Sequence, residues 1–260
     1  ALSGFFFAVV GLLLVAVSFY GPAYVREFER SGQPLAVLGL FTGLFAAGML
    51  LVLLAVDAFA FMVAWELMSV SSYFLVTFQH QNAPNRRAGF LYLLMAHVGA
   101  LAILLGFGVL AGFGGNFTFD AMRAAPLTPL WASIAFALAF FGFGMKAGMV
   151  PLHAWLPEAH PVAPSHISAL MSGVMLKVAL YGLIRFVFDL IGDIQWQWGL
   201  VMLVTGATTT LLGVLYAMVR NNLATLLSSG FEAVSTNTAS VPLEKPAIKE
   251  IRNGISGQLL

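Results

Sequence analysis

Residues 142–186 read GFGMKAGMVPLHAWLPEAHPVAPSHISALMSGVMLKVALYGLIRF. Lys146 and Lys177 lie inside otherwise apolar runs, with Pro151, Pro157, Pro161 and Pro164 between them. Proline removes a backbone donor and clashes with the preceding turn, so the first run is expected to break soon after Lys146. Irregular backbone at membrane depth is tolerated where it is packed in protein or lines a wet cavity. Carbonyls freed near Val150 can then hold water or His153, which lies about two turns beyond Lys146 on nearly the same face. The later prolines force an irregular connection carrying Glu158 and His160. A clean run follows in which His166 and Lys177 are close to three turns apart, so both project from one stripe about 16 Å apart along the axis.

Composition sets the frame around this segment. Of 260 residues, 60% are hydrophobic and only 9% charged, and mean hydropathy is +0.92. Soluble domains carry about a quarter charged residues, so the chain reads as an integral membrane protein. Its net charge of +1 gives no sign of nucleic-acid binding. With no cysteine, it can form no disulfide and supply no thiolate to an iron–sulfur or nickel centre. No cofactor or metal is expected in it, and electrons flowing in its complex would flow through another subunit.

Windows of about 20 apolar residues predict a polytopic all-α bundle of seven spans, roughly 2–20, 34–55, 57–78, 88–111, 130–156, 164–188 and 198–220, with the fifth interrupted. The first is too long for the apolar core of a signal peptide and no basic region precedes it. The chain opens on Ala1, which reads as a processed chain or a fragment. If every span crosses once, Arg26, Arg30, Arg86, Arg87 and Arg220 share one side. The other side has Arg123 and Arg185 against Asp57, Asp120, Asp189 and Asp193. The positive-inside rule then puts the amino terminus outside and loops 21–33 and 79–88 in the cytoplasm. After Leu227 the character changes: residues 228–260 carry Glu232, Glu244, Lys245, Lys249, Glu250 and Arg252 and no apolar run. The expected division is a transmembrane domain over 1–227 and a polar, disordered cytoplasmic tail over 228–260.

A third intramembrane charge, Glu66, lies in FMVAWELMSVSSYF (61–74). Ser69, Tyr73 and Met62 share its helical face. A lone carboxylate in lipid is protonated or paired, and Lys146 is the expected partner. Insertion of such charges costs about 2.5–3.5 kcal/mol each, so three of them point to movement of protons or ions. Structural readings stand beside this one. A lysine can snorkel, though both lysines are well inside their spans. Glu66 can be a structural hydrogen-bonding group, and His97 a satisfied interior histidine. His153, His160 and His166, near a helix break, can be capping or packing groups. Arg185, close to its span's end, is expected to snorkel to the interface. The glycines of GFGMKAG suit close helix packing better than phosphate binding.

KAGMVPLHAWLPEAH followed by APSHISALMSGVMLK, with WELMSVSSYFLV around Glu66, resembles the antiporter-like proton-translocating subunits of respiratory complex I, cation/proton antiporters and membrane-bound hydrogenases. It looks most like the hydrogenase-4 component B and formate hydrogenlyase branch. The resemblance covers about residues 1–225 and implies spans three to nine of a subunit with fourteen or more, built from two inverted repeats that each form a half-channel. It implies that Glu66 pairs with Lys146 on the interrupted helix and that Lys177 relays protons toward the centre. His153, His160 and His166 match polar positions near the path. The family continues with a basic motif and a second repeat, whereas here NNLATLLSSGFEAV (221–234) follows, so one half-channel is expected.

The expected function is therefore that of a proton-translocating membrane subunit of a hydrogenase- or formate hydrogenlyase-like redox complex. No catalytic centre of its own is expected. Its partners would be other membrane subunits, a peripheral redox arm, the lipid bilayer and protons or sodium, in the cell inner membrane. A sodium/proton antiporter subunit, a complex I subunit and an inactive structural fragment are the alternatives. An intramembrane metal hydrolase using His153, Glu158, His160 and His166 lacks the i, i+4 histidine spacing.

Overall fold

In hydrocarbon, each backbone N–H and C=O must be bonded within its own segment or closed sheet, and the apolar runs of this chain meet that demand as helices. The computed structural model describes residues 2–30, 35–192 and 194–219. In chain order the helices are α1 (Leu2–Arg30), α2 (Leu35–Leu54), α3 (Ala58–Val76), α4 (Ala83–Gly114), α5 (Phe119–Arg123), α6 (Pro129–Ala147), α7 (Leu156–Ala159), α8 (Ser165–Leu170), α9 (Leu176–Ile184) and α10 (Trp196–Val219). Six of them, α1–α4, α6 and α10, are long and apolar enough to cross a membrane. The seventh expected span, 164–188, is helical from Ser165 onward but not uniform: π-helical turns at Met171–Met175 and Arg185–Ile191 interleave with α8 and α9. The expected tail, 228–260, and the end of the expected domain 1–227 lie outside the described residues.

Boundaries moved for local reasons. The fifth span was expected to run to residue 156, but α6 stops at Ala147, where Gly148 takes a left-handed conformation with φ of 75°. Helix α1 continues to Arg30 through the expected loop, because the run YVREFER is made largely of residues that tolerate a helix well. Helix α4 begins at Ala83 rather than 88, with Pro84 in its first turn, where the missing N–H costs nothing.

Helices α3 and α6 form the centre, each half buried, whereas only 11% of the apolar window is buried in α1 and in α10. In lipid, association depends on close packing rather than on a hydrophobic drive between helices, and glycine supplies the approach. A Cβ on Gly48 of α2 would lie 2.7 Å from the Met68 nitrogen of α3, and one on Gly99 of α4 would lie 3.1 Å from the Gly142 carbonyl of α6. Between these contacts an aromatic cluster fills the core: Phe61 to Phe107 at 5.3 Å, Trp65 to Phe143 at 5.3 Å and Phe107 to Phe186 at 5.1 Å.

The short α5 is stapled to the start of α3. Ala58 N–H donates to the Phe117 carbonyl (2.9 Å) and Phe119 N–H to the Val56 carbonyl (3.2 Å). Asp57 caps α3 by accepting from Ala60 N–H at 2.7 Å, and Thr118 caps α5 by accepting from Ala121 N–H at 3.4 Å. Phe119 and Met122 are buried by this arrangement, while Asp120 stays exposed.

Candidate functional site

The break after α6 is where the fold places its buried lysine. Stopping a helix at membrane depth leaves carbonyls without partners, and here the protein supplies them. Met149 N–H returns to the Gly144 carbonyl at 2.9 Å. Trp155 Nε1 donates to the Met145 carbonyl at 2.8 Å, and Val150 N–H finds Thr209 Oγ1 of α10 at 3.0 Å. The Met145 carbonyl is therefore held by Trp155, while His153 interacts with the Pro151 backbone next to Val150. His153 sits half-buried in the turn that follows.

Lys146 occupies the last turn of α6 and is 3% exposed. Its Nζ donates to Tyr92 Oη at 2.6 Å and to Ser69 Oγ at 3.1 Å. It also lies over the Tyr92 ring, 4.7 Å from the centroid. Tyr92 Oη shares a 2.5 Å hydrogen bond with Ser72 Oγ and touches Met175 Sδ at 3.6 Å. The amine thus sits in a cage of neutral hydroxyls from α3 and α4, bordered by the first π turn. Tyr92 and Ser72 were not anticipated as partners. A signal did exist: Tyr92 precedes Gly99 by about two turns on the same face, and Lys146 follows Gly142 by about one. If the two glycines mark the crossing of antiparallel helices, the tyrosine and the lysine meet.

Glu66 and Lys146 make no direct ion-pair contact in this structure, although the Glu66 charge acts on the Lys146 amine. Glu66 Oε2 lies 3.6 Å from Nε2 of His97, and the two side chains are 38% and 49% exposed. The reason is rotational. Three residues turn an α-helix by about 300°, so Ser69 is offset about 60° from Glu66. That offset lets Ser69 point at Lys146 while Glu66 faces the outer wall of the bundle beside α4. His97 is accordingly the partner of Glu66 rather than a satisfied interior histidine; its Nδ1 is 3.0 Å from the Leu93 carbonyl.

A second polar group runs along α8, the first π turn and α9. Buried His160 places Nδ1 2.9 Å from Ser168 Oγ, and its ring stacks on Trp155 at 6.2 Å. Trp155 also meets the Tyr92 ring at 5.1 Å, so one indole separates the lysine cage from the histidine. Ser172 Oγ donates to the Ser168 carbonyl at 2.8 Å, and Lys177 Nζ to the Ser172 carbonyl at 3.1 Å. His166 is buried in the first turn of α8. Glu158 is exposed. The structure therefore gathers Lys146, Tyr92, Ser69 and Ser72 in one cluster and His160, Ser168, Ser172 and Lys177 in a neighbouring one. Glu66 and His97 form a third on the outer wall.

Arg185 does not snorkel. Its side chain is only 16% exposed, and Nη1 donates to Tyr181 Oη at 2.5 Å and Ser3 Oγ at 3.0 Å.

Comparison with known proteins fits this architecture. A family model described as NADH:quinone oxidoreductase/Mrp antiporter, TM matches residues 55–230. Hydrogenase-4 component B of Escherichia coli (strain K12) is 44% identical over 230 residues, covering 88% of this chain and 34% of that protein. An NAD(P)H-quinone oxidoreductase chain 4 of a Picosynechococcus species is 34% identical over 194 residues, covering 70% of this chain and 36% of that protein. The chain thus spans about a third of the length of these curated relatives. The structure of the Mrp complex from a Dietzia species superposes with a TM-score of 0.77 at 24% identity, covering 90% of this chain and 43% of that one; that likeness concerns the fold. The branch resemblance to hydrogenase-4 component B is borne out by the first of these matches. The chain is an integral membrane protein and belongs to the family of antiporter-like membrane subunits of NADH:quinone oxidoreductases and Mrp antiporters.

Proposed function

We propose that this chain carries one proton half-channel of a membrane subunit in a hydrogenase- or formate hydrogenlyase-like redox complex. The observation that carries the reading is Lys146: an amine 3% exposed at the break of an apolar helix, bonded only to hydroxyls. A lysine, unlike an arginine, can give up its proton, and in this cage it has Tyr92 and Ser69 to pass it to. Water would carry the proton onward past His160 and Ser168 Oγ to Lys177, whose Nζ is held by the Ser172 carbonyl. Glu66, one helical turn from Ser69, acts on Lys146 through its charge. His153 and His166 flank the route as further polar groups. The driving force would come from redox chemistry in a peripheral arm, passed through neighbouring membrane subunits.

In this reading the protein lies in the cell inner membrane, with the amino terminus outside and the tail after residue 227 in the cytoplasm. The direct test uses the complex that co-purifies with a tagged full-length subunit, reconstituted into proteoliposomes with an internal pH dye. Lys146→Met is expected to abolish turnover-driven proton movement; undiminished movement would overturn the proposal. A family that includes Mrp antiporters favours a sodium/proton antiporter subunit as the second reading, and sodium dependence of the same signal would distinguish it.

A further inference from the structure

Helix α9 and the second π turn carry Lys177, Tyr181, Arg185 and Asp189 at successive i+4 positions. Residues four apart share a helical face, so this is a polar stripe. It leads from the middle of the span toward the side of α5, about 12 Å from Lys177 to Arg185 along the axis. Nothing comparable is needed to seat a helix in lipid, where each polar group is a cost. A proton arriving at Lys177 would find this stripe as ready a route as the one through His160, and it would emerge on the α5 side.

One residue in the stripe cannot relay. Arginine stays protonated in proteins and has no acceptor site, and a fixed positive charge in a narrow polar path excludes protons and cations. Arg185 is held in the line from several sides. Nη1 bonds to Tyr181 and Ser3. The guanidinium carbon lies 4.8 Å from the centroid of Phe119 of α5. Its Nε is buried with no hydrogen-bond partner among the described residues, 3.7 Å from Asp189 Oδ2. Asp189 is already engaged: Arg123 donates to its two oxygens at 2.8 and 2.9 Å. Because α5 is stapled to α3 through Phe117 and Phe119, the lid over Arg185 is tied to the helix that carries Glu66 and Ser69.

We propose that Arg185 is an electrostatic plug closing the half-channel on the α5 side, so that Lys177 exchanges protons with the opposite face alone. The π turn that begins at Arg185 shifts the register of the helix there; such turns often mark functional positions. The inference rests on the proton-conducting reading above, and it assigns a positioning and barrier role rather than a relay.

The test measures passive proton leak, without turnover, across proteoliposomes holding the complex assembled around the full-length subunit. Arg185→Met is expected to raise the leak about tenfold or more, equivalent to about 1.4 kcal/mol off the barrier. Asp189→Asn, which keeps the arginine but frees its surroundings, is expected to raise it less, and it serves if Arg185→Met does not assemble. In the double variant Arg185→Met with Lys177→Met the leak should return to its original level. A leak that persists in the double variant marks a packing defect and overturns the plug, as does a leak unchanged in the assembled single variants. Failure of the half-channel itself would look different: Lys177→Met alone would leave turnover-driven proton movement intact.

Discussion

Lys146 and Arg185 are both cations buried in membrane-spanning helices, yet the chain surrounds them in opposite ways. Lys146 meets only hydroxyls, from Ser69 and Tyr92, and its expected carboxylate faces elsewhere. Arg185 has hydroxyls too, but adds an acid 3.7 Å away and an aromatic ring whose centroid lies 4.8 Å from the guanidinium carbon. The lysine's hydrogen-bond partners are neutral hydroxyls, which stabilise a cation less than a bonded anion does. The arginine is held where its charge is fixed. The contrast separates a site built to exchange a proton from one built to stop it.

Making the two sites alike is the sharpest way to break that contrast. Lys146→Arg keeps the charge in the hydroxyl cage but removes the ability to release a proton. Driven proton movement in reconstituted complex is expected to vanish, as with Lys146→Met. Activity retained in the arginine variant would mean that charge alone matters at this position. Next in size is Tyr92→Phe, which deletes the nearest acceptor of Lys146 while leaving the ring beneath it. Hydrogen bonds to charged groups are worth about 1.5–3 kcal/mol, so the rate of driven proton movement should fall about tenfold to a hundredfold. Ser72→Ala, which removes only the second neighbour, should act more weakly in the same assay.

A further prediction concerns the packing that brings the cage together. A Cβ on Gly142 would press on the Gly99 carbonyl and lie 3.1 Å from the Ile103 nitrogen, so α4 and α6 would have to part. Overpacking of this kind costs about 1–3 kcal/mol. Gly142→Ala should lower the thermal midpoint of the detergent-solubilised full-length subunit and also weaken driven proton movement, since Tyr92 and Lys146 sit on the two helices that separate. Gly108, which faces open space, is the control expected to change neither.

Much of the architecture was legible in the sequence because hydrocarbon leaves the backbone few choices. Runs of apolar residues became spans, and the prolines after Lys146 marked the irregular connection. The end of α6 was harder to place. Gly148, not Pro151, terminates it, since a left-handed glycine satisfies the last carbonyls that a proline alone would strand. The missing direct contact between Glu66 and Lys146 has a related reason. A face shared at i+3 covers about 60° of arc, enough for Ser69 and Glu66 to look into and out of the bundle. The tyrosine on α4 is legible only through its spacing from Gly99, because partners across helices depend on which small residues let them approach. Arg185 looked like a snorkelling residue because its distance from the span end says nothing of the lid that α5 folds over it.

The smallest predicted effect tests that lid at its outer edge. Arg123 donates both members of its fork to Asp189 and pairs with Asp120 as well. Hydrogen bonding to Arg123 holds the Asp189 carboxyl below the usual carboxylate range. A carboxyl lowered on folding contributes stability that is fully present above that range and is lost as pH falls through the lowered value. Both side chains are more than a third exposed, so solvent screens the pair and its worth is below about 1 kcal/mol. Arg123→Gln should therefore lower the thermal midpoint slightly at neutral pH, and the difference from the unmodified subunit should close in strong acid. A difference that stayed constant across that range would mean that α5 is fastened by Phe119 and the backbone staple alone, with the surface acid contributing nothing to holding the plug.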